Sequence, residues 1–595
     1  MCGIAGLINK KNDRFNIEET LVSFKKILNH RGPDDSGTFI HENKYGFINL
    51  RLSIVDIASG HQPIFNEQKT MGIVFNGEIY NYLVIRRELE KKGYLFQTKS
   101  DTEVILRGFE EYGTELFGKL NGMFAFCIWD IKKDEIYLVR DHFGIKPLYV
   151  YQDGDVLVFS SEIKALLSLE GIDTSLDEIG FRDHLTFRYI QAPYTLFKRI
   201  KRVEAGTCMR IHNGTAASFR YWDTSYDDPY PAPSLKTVKE ELSEILKKAV
   251  SSQLMGEVPV GVLLSGGIDS STIAYMINKL GANLTTFNIG FPEVNEFEYS
   301  RKVAKKFGLK HIEVSTTTEE LIKDFDAVNL ALDEPIADAA CLPLYRLCKE
   351  LKKHVMVVLS GEGGDEVFGG YPQYATLLSD MPPYAERFNA FLKQSWYFDN
   401  QDDYLLNRTI PPITSRYNKY FEEQPLLNGM LSYDMRTWMP ENLMMKADKI
   451  LMAHSLEGRF PFLDRELFDY VSRLPQKYKI DSQYTTKWIL KEIMKDQLPT
   501  NIVTRKKMGF TVPIELLLKK MKPQVLDTAN SVSRLPIADV LDIKKIKKNI
   551  ESYYKGQFNS NPHLKTTFIL NIWTLFTLLY WFKFSLPRYT YGNRP

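Results

Sequence analysis

Cysteine is scarce: five residues in 595, an odd number, with no CxxC spacing among Cys2, Cys127, Cys208, Cys341 and Cys348. That excludes a disulfide framework and a zinc site, and it points to a reducing, cytoplasmic setting. An excess of either charge is also missing. With 76 Lys and Arg against 74 Asp and Glu, a net charge of +2, the chain has no electrostatic footprint for nucleic acid. A membrane span is not expected either. The stretch that could be mistaken for one, Phe568 to Phe582 between Lys565 and Lys583, falls short of the roughly 20 apolar residues a span needs and reads as a buried core helix. No export signal is read at the N-terminus, where Lys10, Lys11, Asp13 and Arg14 follow a short apolar segment. There is no low-complexity tract and no internal repeat. Histidines near the motifs below, His30, His142 and His454, form no pair with metal-ligand spacing and read as structural.

What is present is an ordinary globular composition, 44% hydrophobic and 25% charged, on a chain long enough for two or more domains. The first third alternates short β-type runs (Gly3 to Ile8, Tyr45 to Leu50, Met71 to Phe75, Phe124 to Trp129, Ile136 to Arg140, Val156 to Ser160) with turns. Helical spacing interrupts them at Ile17 to Leu28 and Leu83 to Lys92, so an α+β region rich in antiparallel sheet is expected. Residues 213–234, with Asp227-Asp228-Pro229-Tyr230-Pro231-Ala232-Pro233 at their centre, read as a linker between domains at 1–212 and 235–595. Beyond it strand and helix patterns alternate from Val258 to Leu359, which implies βαβ units and a parallel sheet; the remainder is mainly helical.

In such a sheet ligands bind beyond the carboxyl ends of strands, where two loops of like design fall: Ser265-Gly266-Gly267-Ile268-Asp269-Ser270 and Ser360-Gly361-Glu362-Gly363-Gly364-Asp365-Glu366. Glycines at a strand-to-helix turn let backbone N–H groups approach phosphate oxygens, and Ser265 and Ser270 add hydroxyl donors. The first loop lacks the Gly-Lys-Ser/Thr ending of a γ-phosphate-transferring P-loop, and Asp269 suits Mg²⁺ better than phosphate. At the other end, Cys2 follows the initiator Met. Removal of Met1 would leave a thiol and an α-amine on one residue, a nucleophile with its own base near neutral pH.

Cys2-Gly3-Ile4-Ala5-Gly6, Arg31-Gly32-Pro33-Asp34-Asp35, Arg51-Leu52-Ser53-Ile54-Val55-Asp56, Asn76-Gly77-Glu78-Ile79-Tyr80-Asn81 and Ser100-Asp101-Thr102-Glu103 together resemble the N-terminal-nucleophile glutamine amidotransferases. With the two later loops in the same order, the whole chain resembles the glutamine-hydrolysing asparagine synthetase family. The resemblance implies an αββα sandwich followed by an α/β adenine-nucleotide-binding domain with a helical C-terminal part. It implies ATP, Mg²⁺, glutamine and a carboxylate, most simply aspartate, as ligands, and it allows a homodimer. It assigns Cys2 as the nucleophile on glutamine, Asn76 and Gly77 as oxyanion donors, and Arg51, Leu52, Ile54, Val55, Glu78 and Asp101 to the glutamine pocket. Leu263, Ser265, Gly266, Gly267, Asp269, Ser270, Ile289, Ser360 and Gly361 would hold ATP, Asp269 and Asp365 the metal. Glu362 would act as the base for ammonia, and Lys487 would stabilise phosphate charge. Asp333 to Asp338 and Lys446 to Arg459 resemble segments lining the synthetase site. The latter departs from the family's commoner Glu-Val-Arg by carrying Gly458, which keeps open a second reading in which the same machinery amidates a peptide or secondary-metabolite carboxylate.

Overall fold

The computed structural model describes residues 2–9, 14–226, 233–292, 294–394, 404–406, 416, 418–422, 424–505, 512–557 and 562–590, with side chains in the last range from 565. Strands of the first part, numbered along the chain, are β1 Cys2–Asn9, β2 Asp35–His41, β3 Tyr45–Arg51, β4 Ile64–Phe65, β5 Met71–Ile79, β6 Gly122–Asp130, β7 Glu135–Arg140, β8 Tyr149–Asp153, β9 Val156–Ser160, β10 Ile200–Arg202, β11 Thr207–His212 and β12 Thr215–Arg220. They form two antiparallel sheets, β10-β8-β9-β1-β3-β2 and β12-β11-β7-β6-β5-β4. β1, β3, β5 and β6 are buried along their whole length, as their near-continuous apolar runs require.

Ile4, Phe47, Val74, Cys127, Trp129, Leu138 and Phe159 fill the space between the sheets. Each large apolar side chain so removed from water contributes roughly 1.5–3 kcal/mol. Helix Ile17–Leu28 closes the outer face of the first sheet with Ile17, Leu21, Phe24 and Leu28, its N-terminus capped by Asn16. Helices Tyr82–Lys91 and Asp101–Tyr112 close the second through Ile85, Leu89, Val104, Ile105 and Phe109. The result is the αββα sandwich. One expectation changes: Thr215–Arg220, read as linker, pairs with β11 along its length, because the turn at Asn213-Gly214 makes a hairpin rather than an exit. Asp227 to Ala232 lie outside the described residues.

The second part holds a parallel sheet of β13 Val260–Leu263, β14 Thr285–Gly290, β15 His311–Ser315, β16 Val357–Leu359 and β17 Glu457–Arg459, in the order β15-β14-β13-β16-β17. The chain goes outward from β13 to β15, then returns to the other side of β13 with β16. The topological switch point is therefore the β13–β16 pair, where Val262 lies opposite Leu359, and both Ser-Gly loops leave the sheet there side by side. β17 was not anticipated. It is three residues long, two of them charged, and only its pairing with β16 makes it a strand.

Helix Pro562–Tyr580 runs on through a π-turn, Trp581–Ser585. By length and composition Lys565–Tyr589 could cross a membrane, yet 67% of its most apolar window is buried inside the protein. Trp573, Phe576 and Tyr580 pack their rings within 6 Å of Phe325, the arrangement of a core helix.

Candidate active sites

β1, β3 and β5 bring the first site together. Cys2 stands opposite Arg51 in the β1–β3 register, and the Cys2 backbone nitrogen donates to Asn76 Oδ1 of β5 at 3.0 Å. Asn76 is wholly buried, and its amide nitrogen has no hydrogen-bond partner, so an unused donor is left on the side chain that holds the Cys2 backbone. Gly77 follows it. A Cβ there would sit 2.1 Å from the Met123 carbonyl oxygen, so only glycine lets β5 approach β6 this closely. Burial pushes the Cys2 thiol above its ordinary value, against the pull of the Leu52 amide, the Arg51 charge and the Asn49 side chain.

Arg51 Nη2 donates to the carbonyls of Val55 at 2.9 Å and Asp56 at 2.7 Å, so part of its donor set shapes the loop that walls the pocket. Leu52 and Ile54 are buried in that wall and Val55 half-buried. Asp101, first residue of its helix, accepts from the Ile79 amide at 3.0 Å. Its carboxyl is pushed up to about 6 by burial, with the Glu457 charge adding to the rise. Glu78 is raised well above the carboxylate range by burial and by the charges of Glu457 and Asp101, while Arg459 opposes this from 3.8 Å. Three crowded carboxylates make this pocket receptive to a cation.

The second site is a cleft of about 440 Å³ at the switch point. Leu263, Phe287, Ile289, Pro343, Leu344 and Leu347 form its apolar wall; Ser265, Asp269, Ser270, Ser360, Gly361, Glu362 and Asp365 form the polar end. A smaller pocket beside it adds Gly267, Lys487, Lys491 and Arg505. The two loops interlock: a Cβ on Gly361 would lie 3.0 Å from the Ser270 nitrogen, and one on Gly364 2.8 Å from Asp269 Oδ1. Gly266 lines neither cavity. At φ +77° it makes the turn that seats the loop against Tyr299 and Ser300. Lys487 Nζ stands 2.5 Å from Asp269 Oδ2 and 2.7 Å from Asp365 Oδ1, so one ammonium bridges both expected metal ligands. Lys487 itself is in the left-handed region, φ +53°, a strained conformation of the kind found at functional sites. No group of three His, Cys, Asp or Glu suited to a metal occurs among the described residues. Two carboxylates converging on one cation fit the Mg²⁺ pattern, in which one or two carboxylates act together with substrate phosphates.

A family model described as asparagine synthase matches residues 241–582, and one described as a glutamine amidotransferase domain matches residues 1–222. The chain belongs to the asparagine synthase family. "Asparagine synthetase [glutamine-hydrolyzing] 1" of Bacillus subtilis is 37% identical to it over 562 residues, spanning 87% of this chain and 88% of that one. "Asparagine synthetase B [glutamine-hydrolyzing]" of Escherichia coli is 30% identical, spanning 89% and 87%. "Asparagine synthetase [glutamine-hydrolyzing] 2" of Arabidopsis thaliana is 29% identical, spanning 86% and 78%.

Within this asparagine synthase frame, two sequence readings need correction. Of the charged residues in the segment 446–459, only Lys446 lines the cleft, 2.9 Å from Asp338. Asp448 and Arg459 turn toward the amidotransferase half instead, reaching Arg31 and Glu78. Gly458 does not face the cleft: a Cβ there would lie 2.6 Å from Leu451 and 3.0 Å from Phe460, so the glycine is where the core has filled the space of a side chain. Residues missed by pattern are Tyr371, Glu366 and Trp438 in the cleft wall, where Trp438 Nε1 donates to Tyr371 Oη at 3.0 Å and Tyr371 Oη donates to Glu366. Glu366 ends the second loop, where it was given no role, and Tyr371 follows five residues on, the one signal that could have found them. The three histidines are held by neighbours: His30 by Glu162 at 3.0 Å, His142 among the rings of Phe124, Tyr221 and Trp222, and His454 by the Ile450 carbonyl at 3.1 Å.

Proposed function

We propose that the protein converts L-aspartate, ATP, glutamine and water to L-asparagine, AMP, pyrophosphate and glutamate. After removal of Met1, the Cys2 amine takes the thiol proton and the sulfur attacks the glutamine side-chain amide. The Gly77 amide and the Asn76 side-chain nitrogen receive the oxyanion, ammonia leaves, and water hydrolyses the thioester to glutamate. Asp101 and Glu78 hold the glutamine ammonium, and Arg51 its carboxylate. In the cleft, the apolar wall takes the adenine. The aspartate side-chain carboxylate attacks the α-phosphorus of ATP, the bond to the β-phosphate breaks, and pyrophosphate leaves along the Ser265–Ser270 loop and Lys487. Asp269 and Asp365 would hold Mg²⁺, which neutralises phosphate charge when bound. Ammonia then attacks the acyl carbon, Glu362 takes a proton, and AMP departs.

The observation that carries this reading is a buried Cys2 whose backbone is held by Asn76, the Asn76 amide nitrogen being unpartnered, in the same chain as a cleft whose two carboxylates close on Lys487. With Gly458 turned into the core, no observation favours a peptide or secondary-metabolite substrate. Buried, unpaired cysteines support a cytoplasmic setting. The test is ATP–pyrophosphate exchange over a panel of carboxylic acids, with Cys2→Ala assayed on glutamine and on ammonia. Exchange dependent on aspartate, and loss of at least ~10³-fold on glutamine alone, is expected. Exchange driven by another acid, or equal loss on ammonia, sinks the reading.

A further inference from the structure

Helix Met445–Met452 touches both sites. Lys446 leaves it into the wall of the cleft, where Asp338 and, at 3.4 Å from the same carboxylate oxygen, Asn442 meet. Asp448, two residues on, leaves by another face. Its Oδ2 lies 2.8 Å from Arg31 Nη1 and its Oδ1 3.5 Å from Lys146 Nζ, all three side chains being 1% exposed or less. Arg31 pairs also with Glu162 at 2.9 Å, and its Nε donates to the Cys2 carbonyl at 3.1 Å. A second tether runs beside the first: Ser455 Oγ donates to the His30 carbonyl at 2.8 Å.

We propose that Asp448 is a positioning residue for the Cys2 nucleophile. It fixes Arg31, and through Arg31 the start of β1, to the helix whose Lys446 lies in the cleft, so that filling the cleft changes the geometry at Cys2. The proposal rests on the function proposed above. The helix has a place to yield, because a π-turn, Met439–Met444, precedes it; such widened turns recur at functional sites. That turn carries Asn442 on the cleft side and Glu441 on the other, 3.1 Å from Arg140 and 2.8 Å from Arg202. A close-packed, eight-residue helix moves as a unit, so a shift at Lys446 displaces Asp448 as well. The rival account is that Asp448 only neutralises Arg31 and Lys146; its loss would then lower stability and both activities in parallel.

The deciding measurement is glutamine hydrolysis by the full chain, with and without ATP plus aspartate, in wild type, Asp448→Asn, Asp448→Glu and Ser455→Ala, with amide formation from ammonium chloride and thermal melting alongside. Wild-type hydrolysis is expected to rise when the cleft is filled. In Asp448→Asn the rise is lost and kcat/KM for glutamine falls about five- to tenfold, an ordinary strength for coupling between sites. Asp448→Glu restores part of both. Ser455→Ala, which buries no unpaired charge, loses part of the rise with its melting temperature unchanged, and it carries the decision should Asp448→Asn not fold. A rise in these variants equal to the wild type's overturns the proposal, as does wild-type hydrolysis indifferent to the cleft. Absence of amide formation from ammonia in the wild type is a failure of the proposed function instead; hydrolysis with and without ATP then still decides the coupling.

Discussion

The two sites solve the same problem, bringing charged groups together around a reacting centre, by opposite means. Around Cys2 the groups sit on or beside strand interiors: Cys2, Arg51 and Asn76 are locked in register by the β1–β3 ladder and by β5, and each is almost fully buried. Around Lys487 they sit on loops beyond strand ends, drawn from Leu263 to Lys487, in a cleft that opens to solvent. The first arrangement suits a small reaction that needs a fixed donor set around one sulfur. The second suits a large nucleotide that must enter and leave, with loops that can give way around it.

The largest expected contrast is between one substitution in each site. Asp365→Asn removes one of the two carboxylates closing on Lys487 and should lower amide formation roughly 10²–10³-fold whether glutamine or ammonia supplies the nitrogen. Asn76→Ala should cost a similar factor on glutamine and leave the ammonia route intact. Parallel steady-state assays on both nitrogen sources would break the comparison if Asn76→Ala lost the two routes equally, or if Asp365→Asn spared one of them.

A middle-sized effect concerns the strand that joins the halves. Gly458→Val forces a side chain into Leu451 and Phe460, so a loss of about 1–3 kcal/mol in chemical denaturation is expected, with acid preference in the exchange assay unchanged. A changed preference would return Gly458 to the substrate site.

An effect of the same size, confined to one side of a pH window, sharpens the electrostatic side. Burial holds the Asp101 carboxyl at about 6 in the folded chain, so the native state keeps a proton that the unfolded chain releases near its ordinary value of 3.8. Stability therefore falls as pH rises through that window, and the cost stays above it. Asp101→Asn should remove the cost, raising stability by about 1–3 kcal/mol at pH ~7 but little at pH ~4, while KM for glutamine rises. Urea melts at the two pH values check this; an equal gain at both would deny the raised pKa.

The candidate residues around Cys2 were legible because they belong to ungapped motifs on strands that also show plain apolar patterns. The Ser265 and Ser360 loops were legible for a related reason, since a strand-to-helix turn with glycines is a local event. Gly458 misled because a missing side chain in a sequence does not say which face of the strand it vacates. β17 and the contacts of Asp448 and Arg459 were invisible for a different reason: the strand and the buried ion pairs are made by partners distant in the chain, and no local propensity records them. Asn213-Gly214 was read as the start of a linker, whereas in the fold it is a hairpin turn.

By itself the sequence determined which residue types were available for two chemistries and the order of the strands and helices with plain patterns, since periodicity and turn residues act over a few positions. Tertiary structure alone decided that β16 returns beside β13 to set the two loops face to face, that Lys487 closes on Asp269 and Asp365, and that one helix reaches both Arg31 and the cleft. The physical reason is distance along the chain: these contacts depend on how layers pack and charges are buried together, which only the folded molecule brings within a few ångströms.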